Sequence, residues 1–322
     1  MKQLMTFCII CISFTIHSQV CVGEADYFGE KTKFNNIKVI EKLKKTKTLF
    51  VLSDQYSKEE YKKILDEVWK ITDFEILTEK ELFDNVDKYF TVTNSLFRFQ
   101  NWVTTTTMSS PGKAGVRNYN HNFSAINFFL FSEVKRDKKN NLVTKHDKVA
   151  SVNFSIDYKK MSEDNISDIR YLQPKHLYNY QLGYLKNYLK NINDNLMLNK
   201  SVNVYGDFEN EKELSKLKTQ KLYITDDIKR KTFGLDREDG DEDKLTEDYE
   251  FKKEIISIEE LNKKILDGDE FYYFVYTQIN SKKILTVINS KTGEIVYNYC
   301  NRMAYNLKGK DFKQISKAIS KS

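Results

Sequence analysis

Two stretches of the 322-residue chain carry the same pattern of strand followed by helix start, and this pattern constrains the fold most. Residues 46–54 (TKTLFVLSD) align with 219–227 (TQKLYITDD), and residues 75–82 align with 254–261. Strands that alternate with helices predict an α/β fold, and the repetition predicts two related small lobes, each a mixed β-sheet flanked by helices. Convergence between two unrelated strand–helix units stays open, as does an α+β arrangement.

The first lobe is predicted from residue 19 to residue 165. Apolar residues at helical spacing, from Tyr61 to Ile71, predict a helix over 58–72. A preceding helix is predicted over 37–45, and a short one over 79–86. Strands are predicted over 48–53, 74–78, 89–99, 127–134 and 149–158, the last two joined by a charged turn over 135–148.

The second lobe is predicted over 211–322, after a connecting segment over 166–210. A strand over 271–279 precedes a hairpin of 283–289 and 294–299, whose turn contains Gly293. The connecting segment contains a long helix over 177–198. Its aromatic stripe predicts packing in the core or between the lobes rather than a ligand site. The stripe consists of Tyr180, Tyr184 and Tyr188, followed by Ile192.

The N-terminus has the three regions of a secretory signal peptide. Lys2 precedes an apolar run over 4–16, which is shorter than the ~20 residues that a membrane-spanning helix needs. Cleavage is predicted after Ser18, so that residues 1–18 are removed and the mature chain is soluble and periplasmic or secreted. Cleavage after Gly23 or Ala25 and an uncleaved anchor are the alternatives.

The composition is that of a folded protein without a nucleic-acid partner. Forty percent of the residues are hydrophobic, and the net charge of +6 is small for this length. Lysines and acidic residues are interspersed, whereas a nucleic-acid interface clusters its basic residues on one face. No integral membrane segment is predicted after removal of the signal peptide.

Two cysteines stay in the predicted mature chain. Cys8 and Cys11 leave with the signal peptide, while Cys21 and Cys300 remain. In an oxidising compartment these two residues can form a disulfide that ties the N-terminal arm to the last strand. Two unpaired thiols are the alternative.

The strongest candidate for a metal site is an acidic loop. Clustered carboxylates around Gly240 are suited to calcium, which binds six to eight oxygen ligands. An EF-hand register would place Leu235 and Arg237 at ligand positions, so the motif fails, and a solvated acidic loop is the simpler interpretation. The candidate ligands are Asp236, Glu238, Asp239, Asp241 and Asp243.

Residues 104–115 (TTTTMSSPGKAG) predict a long polar loop between strands. The Gly-Lys pair does not make a phosphate-binding loop, since Thr107 stands where that motif needs a glycine and Ala114 where it needs Ser or Thr. Long loops in compact domains often carry contacts, so this loop is the expected contact site. No nucleophile-elbow, zinc-protease or dinucleotide-binding motif occurs, and the sequence therefore names no catalytic residue and no cofactor.

The signal peptide ending in Ser-Gln, the usage rich in Lys, Asn, Tyr and Phe, and the segment 287–297 (VINSKTGEIVY) resemble uncharacterised exported proteins of Bacteroidetes-type bacteria. The likeness implies a periplasmic or secreted location and no catalytic residues. The leading hypothesis is a non-catalytic binding or assembly module with a protein partner or small ligand in the cell envelope. An exported hydrolase is the alternative, and a calcium-dependent surface protein is a weaker one.

Overall fold

The computed structural model of the chain describes residues 19–23, 37–109, 116–203, 205–229 and 245–322. The predicted signal peptide, the five candidate calcium ligands and segment 110–115 of the predicted loop lie outside these residues.

The strands are named in chain order. They are β1 (Val20–Val22), β2 (Lys47–Val51), β3 (Phe74–Leu77), β4 (Asn94–Ser109), β5 (Val116–Arg136), β6 (Leu142–Asn153), β7 (Ser155–Ile156), β8 (Leu177–Tyr178), β9 (Phe208–Glu209), β10 (Leu222–Thr225), β11 (Lys253–Ile256), β12 (Tyr272–Ile279), β13 (Lys282–Asn289) and β14 (Ile295–Asn301).

The helices of the described residues are named in the same way. They are α1 (Ile37–Leu43), α2 (Lys58–Val68), α3 (Glu79–Asp84), α4 (Val86–Tyr89), α5 (Tyr158–Glu163), α6 (Leu182–Met197), α7 (Glu211–Leu214), α8 (Ile258–Asp267) and α9 (Gly309–Lys321). Two 3-10 turns, Ile169–Tyr171 and Pro174–His176, lie between α5 and β8.

Two six-stranded sheets have the same topology. The first sheet has the order β1-β6-β5-β4-β2-β3, and the second sheet has the order β9-β14-β13-β12-β10-β11. In each sheet the last three strands are parallel, and the remaining neighbours pair antiparallel. The architecture is therefore mixed α/β, with crossover connections at one edge of each sheet and antiparallel strands at the other.

One ion pair recurs at the same place in both sheets. Lys47 Nζ lies 2.9 Å from Glu75 Oε2, and Lys221 Nζ lies 2.6 Å from Glu254 Oε2. The strand registers place each lysine two residues before the residue paired with its glutamate. By this register Lys47 is equivalent to Lys221. The alignment predicted from the sequence, which pairs Lys47 with Gln220, is therefore off by one position.

The helix starts that follow β3 and β11 also correspond. Thr78 Oγ1 accepts a hydrogen bond from Glu81 N at 3.1 Å, and Ser257 Oγ accepts one from Glu260 N at 3.1 Å. These are N-caps three residues before a glutamate, and the side chain of Glu81 caps Thr78 N in return.

The largest hydrophobic cluster extends over both sheets. It joins the helix-covered face of the first sheet, through α6, to Phe271, Tyr273 and Val275 of the second. The helix α6 begins at Leu182 rather than at residue 177, and most of its side chains are buried. The predicted packing role of its aromatic stripe is confirmed, because Tyr184 and Tyr188 are each 1% exposed.

The N-terminal arm joins both sheets. Strand β1 pairs with β6, and its Val22 exchanges two backbone hydrogen bonds of 2.9 Å with Val202. Gln19 has no exposed surface, and its Oε1 accepts a hydrogen bond of 2.7 Å from Thr277 Oγ1 in β12. Removal of the arm, residues 19–23, would therefore expose one edge of the first sheet and uncover part of the second.

The hairpin of β4 and β5 differs most from the prediction. Residues 89–93 are not strand, since α4 ends at Tyr89, and β4 then continues to Ser109. The predicted loop 104–115 is wrong over its first half, because 104–109 pair with β5. The charged turn is also shorter than predicted: β5 reaches Arg136 and β6 starts at Leu142.

Candidate functional site

A cleft of about 770 Å³ lies at the carboxyl ends of β2 and β3. Its base is formed by the residues that leave these strands, and the first sheet contributes one wall through Arg98 to Asn101 of β4. In open sheets with parallel strands, ligands bind outside the carboxyl ends, where the crossover connections diverge. The volume is within the usual range of small-ligand pockets, about 300–1,000 Å³.

The local sequence fixes the two helix starts at this cleft. Ser57 caps α2 through a bond from Glu60 N of 3.2 Å, and Glu60 Oε2 accepts from Ser57 N at 2.8 Å. Thr78 begins α3 in the same manner. Ser57 and Thr78 both line the cleft, so two capping boxes hold the loops that form its rim.

Hydroxyl groups cluster at the end of β2. Ser53 Oγ lies 3.2 Å from Tyr61 Oη, which lies 3.5 Å from Tyr180 Oη. Burial raises the pKa of Tyr61 and of Tyr180 above the ordinary value for tyrosine. Both phenols therefore stay protonated at neutral pH, and Tyr61, which lines the cleft, can share a hydrogen bond with a ligand.

Most cationic side chains along the cleft are already paired with carboxylates: Lys58 with Glu81, Arg98 with Glu79, and Arg170 with Asp168. Lys58, Lys80, Arg98 and Arg170 line the cleft, together with two carboxylates. Those carboxylates are Asp54 and Glu79, and Arg98 Nη2 lies 2.8 Å from Glu79 Oε1.

Lys58 is held by Glu81, a residue that does not itself line the cleft. Its Nζ lies 2.7 and 2.6 Å from the two carboxylate oxygens of Glu81. The hydrogen bond from Lys58, followed by that from the Thr78 backbone, lowers the pKa of Glu81 to about 2. The carboxylate therefore stays charged and keeps the lysine in place.

The opposite wall, Arg170 to Pro174, is held in place by partly buried polar contacts. Asn101 Nδ2 donates to Leu172 O at 2.8 Å, and His176 Nε2 lies 2.9 Å from Asp164 Oδ2. Hydrogen bonds from Lys175 and then from His176 lower the pKa of Asp164 to about 2. The imidazole of His176 has 1% exposure, so its role here is to fix the wall.

The metal site predicted from the sequence is not tested by the structure. The five candidate calcium ligands fall outside the described residues, and within those residues no cluster of three His, Cys, Asp or Glu side chains is suited to a metal ion.

No disulfide joins Cys21 to Cys300 in the part of the chain that the structure describes. Cys21 is buried in β1, where its Sγ lies 3.6 Å from Gly23 O, and Cys300 lies in β14 of the other sheet. Burial raises the pKa of the Cys300 thiol to about 11, which keeps it protonated and weakly reactive.

The sequence contained one signal for the cleft that its interpretation missed. Asp54 and Ser57 follow a buried strand, and Thr78 follows the next strand along the chain. Polar residues after consecutive parallel strands meet at one edge of a sheet, and this would have indicated the site.

No protein-family model matches the chain, and no curated protein matches it either. None of the helices in the described ranges is long and apolar enough to cross a membrane.

Proposed function

We propose that this protein is an exported, non-catalytic binding module that holds its ligand in the cleft of the first sheet. The observation that carries the proposal is the cleft itself, with its position at the carboxyl ends of β2 and β3. Apolar side chains such as Leu52 and Phe99 alternate around it with hydroxyl, amide and charged groups. Such a mixture suits a ligand with both apolar and polar parts.

Export is the second part of the proposal, with cleavage after Ser18. Support comes from the burial of residues 19–23, which form the arm that joins the two sheets. Cleavage after Gly23 or Ala25 would remove this arm. The N-terminal residue of the protein recovered from the periplasm tests the point: we expect Gln19, and a start beyond residue 23 would contradict the proposal.

The binding proposal is tested by a thermal-shift screen of metabolites and short peptides. Gln173→Trp places an indole in the cleft from its exposed wall, and Gln220→Trp makes the same change at an exposed site beside the second sheet. A ligand at about a hundred times its Kd should raise the melting temperature by roughly 5 °C. We expect Gln173→Trp to abolish this shift and Gln220→Trp to keep it; equal responses would contradict binding in the cleft.

A hydrolase is the second candidate, because Asp54 and Glu79 line the same cleft. The contacts weigh against it: Glu79 pairs with Arg98, and Ser53 faces tyrosine hydroxyls rather than a base. Turnover of chromogenic esters, glycosides or peptides that disappears in Asp54→Asn would favour the hydrolase.

The calcium-dependent alternative is tested by the melting temperature in excess calcium and in chelator. We expect equal values, and a rise with calcium would favour ligands in the acidic loop.

A further inference from the structure

Two charged side chains of the cleft, Asp54 and Lys80, differ from the rest of its charged lining. The other charged side chains that line the cleft are neutralised in the ion pairs described above. Asp54 and Lys80 are exposed, and within the described residues their side chains form neither an ion pair nor a hydrogen bond. The cleft therefore offers a ligand one negative group and one positive group.

The two unpaired charges follow neighbouring strands at the same level. Val51 of β2 is paired in parallel register with Leu77 of β3, and Asp54 and Lys80 each come three residues later in the chain. Neighbouring strands of a sheet lie about 4.8 Å apart. The chain therefore places an acid and a base at neighbouring points of one rim, outside the carboxyl ends of parallel strands, where ligands bind. Because no ion pair joins the two side chains, a bound molecule can lie between them.

The carboxylate of Asp54 is near the hydroxyl groups at the base of the cleft. Burial is the main cause of the raised pKa of Tyr180, and the negative charge of Asp54 adds to it, so this carboxylate is within electrostatic range of the phenol. Tyr61 Oη lies 3.5 Å from Tyr180 Oη and 3.2 Å from Ser53 Oγ. An ammonium group has three N–H donors, and a carboxylate with hydroxyl oxygens nearby is suited to accept them.

We infer that the ligand of the cleft is an amino acid or a short peptide with both termini free. Its ammonium group binds Asp54 and its carboxylate binds Lys80, each through charge-assisted hydrogen bonds. The apolar part of the lining, which includes Phe99, receives the side chain of the ligand. Because the other cations are paired, the cleft has no surplus of positive charge that would favour a purely anionic ligand. This inference rests on the proposed binding function and specifies its ligand class.

The test begins with a thermal-shift screen of free amino acids and dipeptides. For the best ligand, isothermal titration calorimetry measures the Kd of the free form, the N-acetyl form and the C-terminal amide. The variants Asp54→Asn and Lys80→Gln each remove one unpaired charge of the cleft. The controls, Asp84→Asn and Lys138→Gln, remove the same charges at exposed positions that do not line it.

In the wild-type protein, acetylation and amidation of the ligand should each weaken binding by about tenfold or more. In Asp54→Asn, acetylation should change the Kd by less than about threefold, because the charge that binds the ammonium group is already absent, whereas amidation should still cost about tenfold. Lys80→Gln should show the reverse pattern. Both control variants should respond to the two modifications as the wild type does.

Derivatives that bind wild type as tightly as the free ligand would overturn the inference, and so would losses that are the same in the cleft variants as in wild type. If no amino acid or peptide binds, but another metabolite gives the thermal shift that Gln173→Trp abolishes, this inference fails and the binding cleft stands. If no compound gives that shift, both proposals fail.

Discussion

The two sheets have the same topology, but the equivalent strands β4 and β12 differ in how far the rest of the chain covers them. By the strand registers, Arg98, Phe99 and Gln100 of β4 correspond to Val275, Tyr276 and Thr277 of β12. The β4 residues are half-buried and line the cleft, whereas those of β12 are 2%, 3% and 0% exposed.

The cover over β12 comes from distant parts of the chain. Asn179 Nδ2 donates to Tyr276 O at 3.3 Å, and Ser155 Oγ accepts from Gln278 N at 2.6 Å. Gln19 bonds Thr277 from the N-terminal arm. The comparison teaches that the cleft arises from what the described chain leaves uncovered at β4, since the strand order is the same in both sheets.

The largest effect is expected inside the second sheet. Lys283 and Asp311 form an ion pair with 0% and 4% side-chain exposure, and Lys283 Nζ also donates to Asn306 O at 2.9 Å. Lys283→Met leaves the carboxylate buried without its cation and should cost about 3–5 kcal/mol of unfolding free energy. Urea denaturation measures this loss.

For comparison, Lys47→Met in the first sheet breaks an exposed ion pair and should cost at most about 1 kcal/mol. Adding Asp311→Asn to Lys283→Met should recover part of the loss, because the unpaired charge is removed. Equal costs at Lys283 and Lys47 would contradict the contrast between a buried and an exposed ion pair.

A smaller effect is expected where the N-terminal arm covers β12. Thr277→Val removes the donor to Gln19 Oε1 and leaves that buried oxygen unsatisfied, at a cost of about 1–3 kcal/mol. Thr105→Val, an isosteric change on the exposed extension of β4, is the control and should be within about 0.5 kcal/mol of wild type. Chemical denaturation compares the two, and a neutral Thr277→Val would show that the arm does not stabilise the second sheet.

The two equivalent N-caps, Thr78 and Ser257, should contribute equally to the free energy of unfolding. Thr78→Ala and Ser257→Ala each remove an N-cap that follows a parallel edge strand, so each should cost about 1 kcal/mol. Denaturation midpoints test this equality. A difference of more than about 1 kcal/mol would indicate that the cleft strains one cap and not the other.

The smallest effect depends on pH. The lowered pKa of Glu81 means that its ionised form stabilises the fold above the ordinary value of about 4.3, and this stabilisation is lost as the pH falls toward about 2. Glu81→Gln can keep the cap but removes the charge. The urea midpoints of wild type and Glu81→Gln should therefore differ at about pH 6 and converge near pH 2.

Glu260→Gln, at the matching position of the second sheet, is the control for destabilisation of the whole protein at low pH. A difference between wild type and Glu81→Gln that stays constant with pH would contradict the assigned role of Lys58.

Local patterns predicted some elements well because those elements bury one clear face. The helix α2 starts at the predicted Lys58, with Tyr61, Ile64, Leu65 and Val68 buried, and ends four residues before the predicted end. The hairpin of β13 and β14 is confirmed, and Gly293 has the expected positive φ of 68°.

The remaining features depend on long-range pairing that local patterns do not report. The threonine run of β4 has no apolar alternation, so the sequence predicts a loop there. Cross-strand pairs such as Thr105 with Asn120 instead make it part of a two-stranded ribbon. Local patterns do not predict the cleft, because its lining comes from four separate segments of the chain between Val51 and Pro174.

The N-terminal arm has a consequence for the order in which the chain folds. Gln19 and Thr277 are 258 positions apart, and the sheet partners of β1 lie around residues 150–152. A polypeptide emerges with its N-terminus first, so the arm is exposed long before its binding partners exist. Contacts of such high sequence separation form slowly and late. The residues of this arm are therefore among the last to take their final place, and until then the edge of the first sheet at β6 stays unpaired.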